Sequence, residues 1–147
     1  MNVPIHRLDS YALLAAWLIA LVSTIITLYA SEFLGMPVCT LCWYQRIFMF
    51  PLAIQLGIAT FRQEVSFRIY AIPLAALGGL IALYHYLIQK IPALAPYTPC
   101  RAYAGGVSCE HIDWQLFGFV TFPLLSFIAF VLIIILLIIP SPSQGEG

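Results

Sequence analysis

Charge is scarce in this chain: 6 Lys/Arg and 6 Asp/Glu make up 8% of 147 residues, against roughly a quarter in soluble domains. With 63% hydrophobic residues, so few charges cannot cover a water-facing surface, and an ordinary soluble domain is excluded. A formal net charge of zero and the lack of any Lys/Arg run exclude the electrostatic footprint of a nucleic-acid binder. No internal repeat and no heptad pattern is present. Cysteines number four. The C-x-x-C at Cys39-Thr40-Leu41-Cys42 is followed by Trp43, not His, which excludes covalent haem attachment. A second C-x-x-C is missing as well, so a four-thiolate zinc centre is not expected, and no metal site is assigned.

What the chain does contain is apolar sequence in lengths that match a bilayer. A hydrocarbon core roughly 30 Å thick takes about 20 residues of helix, and four stretches qualify, at residues 10–31, 42–61, 69–88 and 114–139. The second is the informative one, because the uncharged stretch between Arg46 and Arg62 is too short to cross. Extended back to Cys42 it becomes long enough and carries Arg46 about one turn inside the interface, where a cation needs a partner or must snorkel. Pro51 is expected to kink this helix. The first stretch is longer than a signal-peptide core and Leu28-Tyr29-Ala30 is a poor cleavage site, so it reads as a retained anchor.

The expected fold is therefore an all-α integral membrane protein, a single domain over 1–147 built as a four-transmembrane-helix bundle. Loops 32–41 and 89–113 lie on one side, and residues 140–147 form a disordered tail. Both termini share the other side with the 62–68 loop. Arg7, Arg62 and Arg68 on the terminus side against Lys90 and Arg101 opposite, joined by Arg46 only if it snorkels out to that interface, tip the termini by a small margin toward the cytoplasm. Trp43, Tyr44, Tyr84, Tyr86 and Trp114 gather at the opposite interface as an aromatic belt, while Ala75, Ala76, Gly78, Gly79 and Ala82 permit close helix approach.

All four cysteines fall on the extracytoplasmic side, where disulfides persist. Cys39 and Cys42 stand one turn apart at the mouth of the second helix, where unsatisfied N–H groups and the helix dipole favour a thiolate. Cys100 and Cys109 lie in a loop rich in Pro, Gly and Tyr. They read either as a structural staple or as a second pair able to exchange with the first through a mixed disulfide. Four cysteines allow three connectivities, and the sequence does not choose among them. Arg46, four residues after Cys42, projects from the same helix face and can stabilise a thiolate or negative charge on a bound acceptor. His85 should lie at similar depth on the third helix. If the second and third helices are neighbours, Cys42, Arg46 and His85 ring one pocket; otherwise Arg46 and His85 are interfacial residues.

From Cys39 to Arg46 the sequence reads C-T-L-C-W-Y-Q-R, and here it resembles the DsbB family, especially its short members of the disulfide bond formation protein C (BdbC) type. The resemblance covers nearly the whole chain. It implies a quinone-dependent protein-disulfide oxidoreductase in the bacterial cytoplasmic membrane. Such an enzyme reoxidises a secreted or periplasmic thioredoxin-fold oxidase, DsbA-like or BdbD-like, and passes electrons to a membrane quinone, ubiquinone or menaquinone. By the same resemblance Cys39 and Cys42 are the quinone-coupled pair, Cys100 and Cys109 the pair that meets the partner, and Arg46 and His85 the quinone-side residues. The longer members often carry Glu at the position of Gln45 and space their loop pair more widely. A vitamin K epoxide reductase-like enzyme would place its membrane pair late in the chain, the reverse of the order here. The reading from another class is a non-catalytic tetraspan subunit stapled by two structural disulfides.

Overall fold

A chain surrounded by hydrocarbon must satisfy each backbone N–H and C=O within its own segment, which leaves helices as the economical solution for long apolar stretches. The computed structural model describes residues 5–91, 93–94, 109 and 115–139, with backbone alone at 5–8, 65, 115 and 116. Among them four α-helices carry the fold: α1 (Ile5–Glu32), α2 (Thr40–Arg62), α3 (Arg68–Lys90) and α4 (Phe122–Ile138), with a 3-10 turn at Val65–Phe67 leading into α3. α1 packs on α2 and α4, and α3 packs on the same two helices, so the bundle closes as a ring. Short connections make α1 and α2, and α2 and α3, antiparallel neighbours.

Small residues dominate the inward faces of α1 and α3, and large apolar residues stand on their outward faces. α1 buries Leu13, Ala16 and Ala20 while exposing Leu18, Val22, Ile25 and Ile26; α3 buries Ala71, Ala75, Gly78 and Ala82 while exposing Ile69, Leu77 and Leu80. Water would select the opposite arrangement, whereas lipid tails tolerate an apolar exterior and reward close helix contact. Phe130 of α4, fully buried, lies against Gly78 and Gly79 of α3. By length and composition α1 from Asp9 onward and α3 are able to cross a bilayer; α4, 17 residues long, is apolar throughout but shorter. α2, which carries Gln45, Arg46 and Gln55, is not apolar enough to qualify on composition.

Several expected boundaries shift. α1 begins at Ile5, ahead of residue 10, and α2 begins at Thr40, two residues before Cys42, because Cys39 caps it. α2 runs unbroken through Pro51 and α3 through Pro73. The largest correction concerns 114–139, expected as a single span. Gln115–Leu116 (β1) and Val120–Thr121 (β2) pair antiparallel, with Gln115 opposite Thr121. Phe117 and Gly118 make the reversal with φ of 55° and 80°. α4 starts only after this hairpin, with Pro123 in its first turn, where no N–H is needed. The expected all-α architecture stands, with four helices, and the two-residue strands add a local hairpin ahead of α4. Lys90 at the end of α3 donates to the Gly118 carbonyl at 3.2 Å and ties the hairpin to the bundle. The expected tail 140–147, and most of the loop 89–113, lie outside the described residues.

At the other end of the bundle Arg68 and Asp9 form an ion pair at 2.6 Å with both side chains largely buried. It joins the start of α3 to the start of α1. Gln63 closes α2 in the left-handed region (φ 55°), its amide donating to Thr60 O at 2.6 Å and its Oε1 accepting from the Ser10 hydroxyl.

A Cβ at Gly78 would fall within the Phe130 ring. Gly78→Val is therefore expected to destabilise the bundle by about 1–3 kcal/mol, read as a lower thermal midpoint in detergent. Leu80→Ala, on the exposed side of the same helix, should leave the midpoint nearly unchanged. Equal effects of the two substitutions would contradict the α3–α4 packing.

Candidate functional site: a dithiol at the mouth of α2

Chain direction reverses after α1 at Gly35 (φ 62°) and reaches Cys39 in extended conformation (φ −76°, ψ 166°). Cys39 is the N-cap of α2. Its sulfur accepts the backbone N–H of Cys42 at 3.3 Å, the place that a Ser or Asp oxygen usually takes. The helix start therefore holds the C-x-x-C geometry: the two sulfurs lie 2.8 Å apart, and both thiols are free. Cys39 is buried and Cys42 partly exposed.

His85 comes from α3, 46 residues away in sequence, and its Nε2 stands 3.6 Å from Cys39 Sγ. On the other side of the ring, Nδ1 lies 2.9 Å from the side-chain amide nitrogen of Gln45. The imidazole is 2% exposed. Only α2–α3 packing makes this contact, and the small residues of α3 allow that approach. The hydrogen bond from the Cys42 thiol, with His85 and the Cys42 backbone N–H adding to it, lowers the pKa of Cys39 to about 4 against the opposing effect of burial. The negative charge of the dithiol is thereby held at the capping sulfur.

Arg46, 8% exposed, donates from its guanidinium to the Thr27 carbonyl of α1 at 2.7 Å and lies 5.4 Å from the centre of the Trp43 ring. The partner that an interfacial arginine requires is thus a backbone carbonyl and an aromatic face. Cys39, Cys42, Gln45, Arg46 and His85 line a cavity of about 330 Å³ together with Thr27, Met49 and Thr121. Thr121, at the end of the hairpin and 1% exposed, has a hydroxyl with no hydrogen-bond partner.

Cys109 is disulfide-bonded and 1% exposed, and it packs in one buried cluster with Cys39, Leu41 and Ile88, with Cys42 and Tyr84 alongside. Cys109 is thereby placed in the same buried cluster as the helix-mouth pair. Cys100 lies outside the described residues. Of the sequence-derived candidates, Cys39, Cys42, Arg46 and His85 line one cavity, and Cys109 shares a buried cluster with Cys39.

Three contributors were not singled out from the sequence. Gln45 carried a signal, since an amide in an apolar helix next to Arg46 calls for a buried partner. The Thr27 carbonyl carried none, being backbone of another helix. Thr121 depends on a hairpin that a continuous apolar run conceals.

The family model described as Disulfide bond formation protein DsbB matches residues 9–140. The chain is 43% identical over 136 residues to Disulfide bond formation protein C of Bacillus subtilis, covering 91% of this chain and 95% of that protein. It is 46% identical over 124 residues to a Probable disulfide formation protein of Coxiella burnetii (83% and 82%). It is 44% identical over 130 residues to Probable disulfide formation protein C of Bacillus cereus (87% and 90%). No solved structure matches significantly. With most of its length matched by the family model and by relatives of nearly its own length, the chain belongs to the DsbB family of disulfide bond formation proteins.

Proposed function

We propose that this protein is a membrane thiol:disulfide oxidoreductase that accepts electrons from a secreted thioredoxin-fold oxidase at its loop disulfide and delivers them, through Cys39 and Cys42, to a membrane quinone. That Cys109 shares one buried cluster with Cys39, with Cys42 packed alongside, supports this reading above any other observation. In the proposed arrangement the four helices span the bacterial cytoplasmic membrane with cytoplasmic termini, and the cysteines face the extracytoplasmic side. Lipid is then required for function as well as for folding, since the acceptor is itself lipid-soluble.

The cavity fits a quinone headgroup on three grounds. It is of mixed polarity, with apolar side chains such as Ile26, Met36 and Met49 beside the polar groups of Gln45, Arg46 and Thr121. The Thr121 hydroxyl is buried without a partner, and a buried donor in that state calls for an acceptor. The Arg46 guanidinium, held by Thr27, is fixed where it can offset negative charge. When bound, the quinone supplies a two-electron, two-proton sink. The protein's part is to hold it near Cys42 by Arg46 and Thr121 and to keep the dithiol charged on demand.

Exchange proceeds by thiolate attack on disulfide sulfur. We assign the remaining cysteine, Cys100, as the disulfide partner of Cys109 and as the point of attack by the partner oxidase. That attack forms a mixed disulfide at Cys100 and releases the Cys109 thiolate. Cys109 then attacks Cys39 of the Cys39–Cys42 disulfide, forming a Cys39–Cys109 bond and releasing the Cys42 thiolate beside Arg46. The second thiol of the partner resolves its bond to Cys100, and Cys100 in turn attacks Cys109, restoring the loop disulfide and freeing Cys39. The resulting form has the loop pair oxidised and Cys39 and Cys42 as thiols.

Anaerobic quinone reduction by the purified protein, driven by a reduced thioredoxin-fold dithiol protein, is expected for the wild type and should vanish in Cys42→Ser. Full turnover in that variant would refute the assignment, and no wild-type turnover with ubiquinone or menaquinone analogues would favour a tetraspan subunit with structural disulfides. Arg46→Ala is expected to lower kcat/KM for the quinone roughly ten- to a hundredfold, as for loss of a charged hydrogen bond worth about 1.5–3 kcal/mol. If the effect instead falls on partner affinity alone, Arg46 belongs to the docking surface. A third measurement concerns pH. A depressed folded-state pKa means that the Cys39 thiolate persists at neutral pH and is lost only as pH falls through about 4. Thiolate ultraviolet absorbance of reduced, chelator-treated Cys100→Ser/Cys109→Ser protein should therefore report one thiolate from pH 7 down to near that value. Absorbance that rises only near pH 9, the ordinary thiol value, would contradict the capping geometry.

A further inference from the structure

The lack of a second C-x-x-C argues against a zinc centre built from the cysteines alone, but helix packing adds a ligand that the sequence does not reveal. Cys39 Sγ, Cys42 Sγ and His85 Nε2 all lie within 4.8 Å of one another. We propose that the reduced dithiol and His85 form a binding site for one soft d10 cation, with Zn²⁺ as the reference ion, and that its occupancy arrests the dithiol. The proposal goes beyond the quinone reading and rests only on the chemistry of the reduced pair.

The distances suit a tetrahedral ion. With Zn–S about 2.3 Å and Zn–N about 2.0–2.1 Å, neighbouring sulfur and nitrogen ligands stand about 3.6 Å apart and two sulfurs about 3.8 Å apart. The observed Sγ···Nε2 separation is 3.6 Å. The sulfurs, at 2.8 Å, must open by about 1 Å to reach the tetrahedral edge. A rotation of the partly exposed Cys42 side chain supplies that movement.

The surroundings supply what a ligating histidine needs. Gln45 holds Nδ1 at 2.9 Å, and a half-turn of its amide exchanges donor for acceptor. With Oε1 toward the ring, Gln45 accepts Nδ1–H and leaves the Nε2 lone pair facing the sulfurs, the outer-shell arrangement that ligating histidines use. All three ligand residues line the cavity, so the fourth position opens toward it and takes water, as in three-ligand zinc sites. Two thiolates neutralise a dication, so the nearby Arg46 is not opposed by excess positive charge. Sulfur and imidazole ligands select Zn²⁺ or Cu⁺ over Mg²⁺ and Ca²⁺.

Binding moves no electrons. It displaces the remaining thiol protons and forms two S–metal bonds and one N–metal bond, so protons are released. Oxidation to the Cys39–Cys42 disulfide removes both thiolate ligands, and the site therefore exists only in the reduced state. A bound ion would hold the pair reduced and block both exchange with Cys109 and transfer to an acceptor.

The test uses the full chain in detergent, carrying Cys100→Ser and Cys109→Ser so that Cys39 and Cys42 are its sole thiols. Protein reduced and desalted anaerobically is titrated with Zn²⁺ against a chromophoric chelator, and separately with Co²⁺. One Zn²⁺ per chain is expected for reduced protein and none after diamide oxidation, with thiolate-to-cobalt charge-transfer absorption in the reduced form only. Gln45→Leu should weaken binding ten- to a hundredfold, as outer-shell losses do, and His85→Ala by more. Equal retention by oxidised and reduced protein, no retention by either, or unchanged affinity in His85→Ala would each overturn the proposal. The oxidised–reduced comparison leaves all three proposed ligands unsubstituted and stands even if His85→Ala fails to fold.

Discussion

The sulfur of Cys39 accepts the backbone N–H of Cys42, and by doing so it starts α2, sets the spacing of the two thiols and gathers negative charge at the helix mouth. A hydroxyl in that place would cap the helix equally well. A sulfur makes the cap chemically reactive, because hydrogen bonds that satisfy the helix terminus also stabilise a thiolate. Forming the Cys39–Cys42 disulfide withdraws that charge while leaving the backbone start of the helix in place. Redox change at the site can thus occur without remaking the fold around it, which a relay that cycles repeatedly requires.

The bundle supplies the second element. α3 packs beside α2, and this approach carries His85 to the capping sulfur and Gln45 to the far side of the imidazole, while Gly78 and Gly79 make room for Phe130 of α4. Large apolar residues, displaced to the exterior, make a surface suited to lipid. The features that make the chain insoluble in water are also those that assemble its chemistry. At the hairpin end, Lys90 fastens β1 and β2 to α3, placing the Thr121 hydroxyl in the wall of the cavity and starting α4 directly after it.

Much of this was legible in the sequence, and the remainder was hidden for identifiable reasons. The apolar segments, the paired cysteines at a helix start and Arg46 one turn further on follow from spacing and composition. The hairpin was hidden because two-residue strands produce no alternation, and the apolar residues of 116–139 read as one run. The contact between His85 and Cys39 was hidden because depth in a bilayer places two residues at one level without fixing which atoms meet. Gln45 was visible as an amide in an apolar helix but its partner was not, although an amide facing an imidazole can donate or accept, which an ionised carboxylate cannot do. The Asp9–Arg68 ion pair joins helices whose first residues are far apart in sequence, and no local pattern encodes it.

The relay stands or falls on whether Cys109 can reach Cys39. In Cys42→Ser protein the Cys39 thiolate has no neighbouring thiol to pair with and should attack the loop disulfide at Cys109, giving a Cys39–Cys109 bond and a free Cys100. Proteolysis under non-reducing conditions followed by mass spectrometry reads this directly. Recovery of the peptides of Cys39 and Cys109 as one disulfide-linked species is the predicted result. Recovery of Cys39 as a free thiol, with Cys100 and Cys109 still joined under conditions that permit exchange, would contradict transfer between the two pairs.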